Sequence, residues 1–466
     1  MMVLTWLMYG TFVFTIVHYL AMAAYGALSR RMIRRARPST RLPARSSVDK
    51  AGALAGVTMI MPAYNEEAVI VDTVTGALGQ DHPDIEVIVV NDGSKDDTLL
   101  RLVEHFDMTV APHRLDDDAI ATKTIHAVYR SRSEPRLVVV DKEGSGAKAD
   151  NSNVGANLAR YPWIVCMDAD ELMNSDVLRL CMTEVLHTSG NVVAVGTSLL
   201  PSNGCTIDGP KVADTSVPRN FWVGGQLIEY LFAFLVARPG MALLDALPIV
   251  SGGFGLFNRR AILAAGGWRH GHLGEDMDMC MRLHRWHLEN EIPYRIVQVP
   301  EAIVWTEFPS NQEILARQRV RWHRGLRQIV AEHRQTIGDR RYGRFGMIAM
   351  PTIYLFEWWG AIVESTGYLI LLLLGLTGEV NWTAATALFL ATQLIGTATC
   401  FGAVSTQVAV LGAFRHRADV RRLLYYALIF NWGYRQLTVW WRVKSFKAGE
   451  FVWGEMPRQG FQVVSK

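Results

Sequence analysis

The stretch DIEVIVVNDGSKDD, residues 84–97, runs Val87, Ile88, Val89 and Val90 straight into Asn91, Asp92 and Gly93. A short continuous apolar run closed by polar and glycine residues predicts a strand buried on both faces. The pattern recurs. VTMIMPAYNEE carries an apolar run from Val57 to Met61 that stops at Pro62, and RLVVVDKEG and WIVCMDADE repeat it around Leu137 and Ile164. Helical stretches separate these runs, so the expected architecture is α/β, a parallel sheet covered by helices on both faces. Ligands bind such sheets beyond the carboxyl ends of the strands. Those ends carry Asn65 and Glu66, then Asp92, Lys148 beyond the third, and Asp168 and Asp170 after the fourth. One acidic strand end is ordinary loop chemistry; several converging on one edge make a site.

Asp168-Ala-Asp170 follows a buried run, opposite a second acidic strand end. Most such pairs are solvated turns or helix caps. Here they suit a hard divalent cation, Mg2+ or Mn2+, whose remaining positions are filled by diphosphate oxygens. No P-loop or GxGxxG motif accompanies the strands, which excludes the usual triphosphatase and dinucleotide signatures. Further on, LGEDMDMCMRLHRW holds Glu275, Asp276 and Asp278. Carboxylates are favoured in the first turn of a helix, and Asp278 fits that role. Asp276 also fits a general base that takes a proton from an acceptor hydroxyl. Spacing alone does not separate the two.

Outside this region the chain becomes apolar. Residues 3–28 and 382–414 carry no formal charge, and both exceed the roughly 20 residues that cross a bilayer core. Residues 347–376 are a third candidate, interrupted by Glu357 and Glu364, and residues 423–441 a weaker fourth containing Asn431, Arg435 and Gln436. The first segment has no basic stretch before it and is too long for a cleaved signal core. Arg30, Arg31, Arg34, Arg35, Arg37, Arg41 and Arg45 follow it, so the N-terminus is expected outside and the region after Lys50 in the cytosol. Arg415, Arg417, Arg421 and Arg422 mark a second cytoplasmic loop. A fourth span would put the C-terminus outside, whereas Lys444, Lys447 and Arg458 favour the inside. Residues 219–240 read as an interfacial helix or, equally, a buried core helix.

The expected organisation is a transmembrane helix over residues 1–30, a basic linker over 31–54 and a catalytic domain over 55–330. About three transmembrane or interface helices over 331–445 and a tail over 446–466 complete it. A formal net charge of +3 over 466 residues gives no reason to expect nucleic acid. Cys166, Cys181, Cys205, Cys280 and Cys400 lack CxxC spacing and read as buried thiols, not as a disulfide framework or zinc site.

The segment NQEILARQRVRWHRGL, residues 311–326, sits where the soluble-looking region meets the apolar one. A cationic, aromatic cluster there is usually a membrane anchor. Its order completes a pattern, however. PAYNEE, NDGSKDD, AKADNSN, DAD, GED and QRVRW occur in the sequence seen in family-2 glycosyltransferases. The chain resembles the processive membrane members of that family, the synthases of cellulose, hyaluronan, chitin and bacterial poly-N-acetylglucosamine, over residues 55–330.

The resemblance implies a GT-A fold, a Rossmann-like nucleotide-diphospho-sugar transferase domain set between α-helical transmembrane segments, and inversion at the anomeric carbon. It implies that Tyr64, Glu66 and Asp92 hold the uracil and ribose of a UDP-sugar. Lys148 would meet the diphosphate, and Asp168 and Asp170 the donor and metal. Asp276 matches the base, with Glu275 in the acceptor set. Arg321 would neutralise the leaving UDP, Trp322 would stack the acceptor sugar, and Gln318 would orient the pair; Arg319 and Arg324 fall outside these positions. The implied location is the bacterial inner membrane, multi-pass, with a growing polysaccharide as acceptor and an accessory membrane or periplasmic export subunit as partner. GSGAKADNSN is more polar than the usual Lys-Ala-x-x-Asn stretch, which leaves Asn151 and Asn153 as alternatives. A cyclic-di-GMP-binding barrel and a gating loop are not expected.

Two alternatives stand beside this. A single-transfer enzyme charging a lipid carrier would share the uracil and DxD residues but would not need QxxRW. A non-catalytic membrane scaffold would not need Asp92, Asp170, Asp276 and Arg321 together.

Overall fold

A computed structural model describes residues 2–36, 54–115 and 119–447. Most of the expected linker and tail lie outside the described residues. Within them, residues 54–215 and 247–307 form one compact unit, and residues 2–34, 216–246 and 308–447 form another.

The first unit is built on strands β1 (Val57–Ala63), β2 (Ile85–Asn91), β3 (Met108–Ala111), β4 (Ile125–Ser131), β5 (Leu137–Lys142) and β6 (Trp163–Met167). It continues with β7 (Leu172–Met173), β8 (Val192–Pro201), the hairpin β9 (Thr206–Asp208) and β10 (Lys211–Asp214), then β11 (Phe254–Asn258) and β12 (Arg295–Thr306). Ten of these make one sheet, in the order β3-β4-β5-β2-β1-β6-β11-β8-β12-β7. The four runs legible in the sequence are its parallel centre, β5-β2-β1-β6. All of β2 and β6 is buried, as two-faced Val/Ile strands require.

The sheet as a whole is mixed, which corrects the expectation of a purely parallel one. β11 runs antiparallel between β6 and β8, and β3 and β4 add an antiparallel edge. The reversal at β11 carries the chain back past the β6 end through Gly252 and Gly253. Pro62 does not end β1 but lies within it.

Two local features bring the strand ends together. Gly93, with φ +69, turns the chain after β2 so tightly that a Cβ there would lie 3.1 Å from the backbone of Gly144. Across the β1 and β2 ends, the Asn65 N–H donates to Ser94 Oγ at 3.0 Å and the Lys95 N–H to Asn65 Oδ1 at 2.9 Å. The helix Glu275–Glu289 is fixed in the core by His284, whose ring nitrogens meet Leu247 O at 2.8 Å and Tyr294 Oη at 2.5 Å. Burial lowers that imidazole to a pKa of about 4, so it packs neutral. All five cysteines are free; Cys166, Cys181, Cys280 and Cys400 are buried as expected, whereas Cys205 is only half-buried, and burial pushes Cys166 up to about 12.

In the second unit four helices are long and apolar enough to cross a membrane: Met2–Arg31, Phe221–Leu243, Phe345–Leu376 and Trp382–Val410. The second of these is the stretch read over residues 219–240, shifted to end at Leu243. Asn220 caps it by accepting the N–H groups of Trp222 and Val223, and a π-helical turn over Ala233–Ala237 carries it on to Leu243. Its Gly224 and Gly225 lie against the rings of Tyr426 and Tyr434 so closely that a Cβ at either would clash.

The fourth apolar segment of the sequence is not one helix. It divides into Arg417–Ile429 and Arg435–Lys444 around Trp432 and Gly433, the latter at φ +137. The break has a polar cause. The half-buried Gly433 N–H donates to Gln436 Oε1 at 2.7 Å, and buried Asn431 accepts from Tyr19 Oη at 2.8 Å. Glu364 is paired, not open: it accepts from Arg435 at 2.7 and 3.2 Å and from Tyr368 Oη at 2.9 Å.

Candidate active site

Beyond the β6 end, four of the expected residues gather around one glycine. The Lys148 ammonium, from the first turn of the helix Lys148–Leu158, donates to the Asp168 carboxylate and, at 2.6 Å, to Gly252 O. The Gly252 N–H donates to Asp276 Oδ2 at 2.9 Å, while Asp276 Oδ1 accepts its neighbour Met277 N–H at 2.8 Å. Glu275 precedes Asp276 in the first turn of its helix.

Gly252 and Gly253 both lie close against carboxylate side chains. A Cβ at Gly252 would lie 3.2 Å from Asp276 Oδ2, and one at Gly253 would strike Glu171 Oε1. The sequence reading missed Gly252, Gly253 and Glu171. The signal was present in SGGFG, a glycine pair immediately before an apolar run.

The electrostatics are those of one cation among acids. Burial disfavours the Lys148 charge, yet Asp168 and then Glu275 hold its pKa above the ordinary lysine value. Burial raises the Glu275 carboxyl, the neighbouring Asp276 raises it further, and Lys148 opposes both. Asp170, two residues beyond Asp168, is half-buried in the same loop. Asp168 and Asp170 present oxygen donors only, and the Asp168 side chain keeps 44% of its exposure while it meets a cation. That donor set fits a hard divalent ion.

Asp92 does more than the sequence indicates. Its carboxylate accepts Lys142 Nζ at 2.6 Å, Ser145 N at 2.8 Å, Ser145 Oγ at 2.9 Å and Gly146 N at 3.0 Å. Burial would raise its pKa, but the Lys142 and Ser145 bonds outweigh this and lower it. Asp92 thus fixes the loop that delivers Lys148, and both its oxygens are engaged within the protein. Lys142, fully buried, also pairs with Asp150 at 2.8 Å, and His270 Nε2 lies 3.4 Å from the same carboxylate.

Tyr64 is half-exposed directly after β1, and Glu66 follows it with its N–H on Thr98 Oγ1 at 2.8 Å. Of the two asparagines left as alternatives, Asn153 is committed to the fold. Its amide donates to Trp268 O and accepts from Trp268 N, both at 2.8 Å. Asp278 forms a buried pair with Arg282 at 2.9 Å.

Gln318, Arg321 and Trp322 belong to the other unit, on the helix Gln312–Glu332, which Asn311 caps through Glu313 N at 2.7 Å. Trp322 is 38% exposed, while Gln318 and Arg321 are half-buried. Arg319 and Arg324, together outside the motif in the sequence, differ sharply here. Arg319 is buried, and Arg324 donates to Lys447 O at 3.2 Å.

The family model described as glycosyltransferase-like family 2 matches residues 55–325. The chain belongs to this family. With the parallel strand centre and the acidic loop after β6, membership makes the sheet-containing unit a GT-A domain. Among curated relatives, the chain is similar to the poly-beta-1,6-N-acetyl-D-glucosamine synthase of Staphylococcus aureus strain COL. The two are 25% identical over 277 residues, 59% of this chain and 56% of that protein. The synthase of the same name from Staphylococcus epidermidis is 25% identical over 275 residues, 59% of this chain and 55% of that one. The chain thus spans about half the length of the curated relatives it matches.

Among solved structures, a mannosyltransferase of Pyrobaculum calidifontis with GDP-Man and Mn2+ is 18% identical at TM-score 0.49, covering 90% of this chain and 99% of that one. Residues 1–349 of S. aureus TarS with UDP-GlcNAc are 13% identical at TM-score 0.41, covering 82% and 92%.

Proposed function

We propose that this family-2 glycosyltransferase polymerises a UDP-sugar, UDP-N-acetylglucosamine or UDP-glucose, into an exopolysaccharide and extrudes it across the bacterial inner membrane. The observation that carries the reading is the joining of Lys148, Asp168 and Asp276 through Gly252. It sets a diphosphate-seeking cation and a candidate proton acceptor on the two backbone polar groups of one residue.

In the reaction, the terminal hydroxyl of the acceptor chain gives its proton to the Asp276 carboxylate as its oxygen attacks the anomeric carbon. The bond from that carbon to the diphosphate oxygen breaks, the configuration inverts and UDP departs. Lys148 and Arg321 neutralise the departing charge. Asp168 and Asp170 would hold a Mg2+ or Mn2+ ion, which supplies Lewis-acid stabilisation of the diphosphate. Tyr64 and Glu66 flank the nucleoside end, and Trp322 offers an indole face to the acceptor sugar.

The apolar helices Met2–Arg31, Phe345–Leu376 and Trp382–Val410 support a membrane setting. The arginines that follow the first favour the GT-A domain in the cytosol and the N-terminus outside. Phe221–Leu243 lies along the chain between two halves of one sheet and so does not cross. The relatives' printed names favour N-acetylglucosamine as the unit. The test is transfer from a panel of radiolabelled UDP-sugars into vesicles carrying the protein. Long polymer inside the vesicles supports the proposal. One-sugar products on lipid would show a single-transfer enzyme, and no UDP release would show a scaffold.

A further inference from the structure

The helix Gln312–Glu332 turns Arg319 and His323, four residues apart, toward the interior of its unit, while Trp322 stays 38% exposed. The Arg319 guanidinium carbon lies 4.4 Å from the centroid of the Trp322 ring. That distance is within stacking range of a cation on an aromatic face. Arg319 is only 4% exposed, so its charge requires an answering group.

Glu229 supplies it, with Oε2 at 2.9 Å from Arg319 Nη2. Glu229 belongs to the apolar helix Phe221–Leu243, where a carboxylate without partners would be costly. Tyr434 Oη also donates to it at 3.4 Å, and Arg442 Nη2 stands 3.9 Å away. His323 locks the next turn of the same face, through Ser445 Oγ at 2.7 Å and Glu357 O at 3.2 Å. The helix is therefore held against rotation, and the guanidinium lies over the indole ring.

We infer that Arg319 is a positioning residue: held by Glu229, it sets the plane of Trp322 so that the indole meets the acceptor sugar at a fixed angle. This rests on the reading of Trp322 as the acceptor platform. Glu229, on a different helix, then couples the apolar bundle to the acceptor site. An arginine is needed and a lysine does not replace it. A lysine keeps the ion pair with Glu229, but its point charge has no plane to lay against the ring.

The experiment uses the full chain in lipid vesicles, with labelled UDP-sugar and oligosaccharide acceptors. Arg319→Lys, Arg319→Gln, Glu229→Gln, Trp322→Leu and the double variant Arg319→Gln/Trp322→Leu are compared. Arg319→Lys and Arg319→Gln are expected to raise the acceptor KM roughly tenfold and shorten the polymer, with a smaller change in kcat at saturating acceptor. Glu229→Gln moves both readouts in the same direction, and the double variant is no worse than Trp322→Leu alone. Restoration of normal KM and length by Arg319→Lys would reduce the residue to an ion-pair strut and overturn the inference. Additive losses in the double variant would overturn it equally. A Trp322→Leu variant with normal KM and length would remove the platform reading and this inference together, whereas an impaired Trp322→Leu beside a silent Arg319→Lys removes only the inference.

Discussion

Lys148 and Asp276 grip the same residue from opposite sides: the lysine ammonium donates to Gly252 O at 2.6 Å, and the Gly252 N–H donates to Asp276 Oδ2 at 2.9 Å. Neither side chain is free to drift without moving the other's anchor. The distance between the proposed diphosphate-binding cation and the proposed proton acceptor is thereby set by backbone. Such fixed placement is what general-base catalysis requires, since the acceptor must lie within hydrogen-bond reach of the hydroxyl.

Asp276→Asn is expected to abolish polymer formation while UDP binding persists. The amide has nearly the same shape and its oxygen still accepts one of the two backbone N–H groups, but it cannot take a hydroxyl proton. The loss in turnover is roughly 10²–10⁴-fold. Turnover and UDP affinity measured on the same vesicles check this, and near-normal synthesis would remove Asp276 from the mechanism.

Activity should vanish with a chelator and return with Mg2+ or Mn2+. Asp170→Ala should mimic chelation at every metal concentration, because in the proposed mechanism cationic side chains alone neutralise the departing diphosphate incompletely. UDP release is the readout. Full activity in excess chelator would refute the assignment of Asp168 and Asp170.

Glu275 gives the stability a definite pH dependence. Its carboxyl is raised by burial and then by Asp276, against the opposing pull of Lys148, so the folded state favours its protonated form. A raised folded-state pKa contributes stability that is fully present below the ordinary glutamate value, about 4.3, and is lost as pH rises through the raised value. Glu275→Gln removes this contribution. The Tm of the variant relative to the parent should therefore climb with pH across that window. A constant difference would mean that Glu275 does not titrate there.

The sequence showed the parallel centre because Val/Ile runs buried on both faces have no other plausible place. It did not show β11 or the antiparallel edge: Phe254–Asn258 is a short apolar run that could be strand or helix, and β7 has only two residues. Arg319 was passed over for a physical reason. An arginine in a basic helix looks the same whether its face meets water or Glu229. The fourth apolar segment misled because hydropathy is blind to one glycine at φ +137. Asp276 was singled out from its motif, but its link to Lys148 through Gly252 was not legible, since both side chains meet backbone atoms of a residue remote in sequence.

Lys142 was missed most completely, and it gives the sharpest test of how the donor side is built. In DKEGSG it looks like a solvated strand end. In the structure its ammonium is fully buried, 2.6 Å from Asp92 and 2.8 Å from Asp150, two carboxylates that are themselves at most 4% exposed. Lys142→Met would fill a similar volume but leave both carboxylates without their cation. Removing one partner of a buried pair costs about 3–5 kcal/mol, because the remaining charge is desolvated and uncompensated. Exposed Lys123, paired with Glu143 at 3.1 Å, is the control, since a solvated pair contributes little. Denaturant unfolding of the two variants should separate them clearly. Asp92 also holds Ser145 and Gly146, so the surviving fraction of Lys142→Met should bind UDP-sugar more weakly as the loop before Lys148 loosens. Equal stability of Lys142→Met and Lys123→Met would show that Asp92 and Asp150 are not held as this network requires.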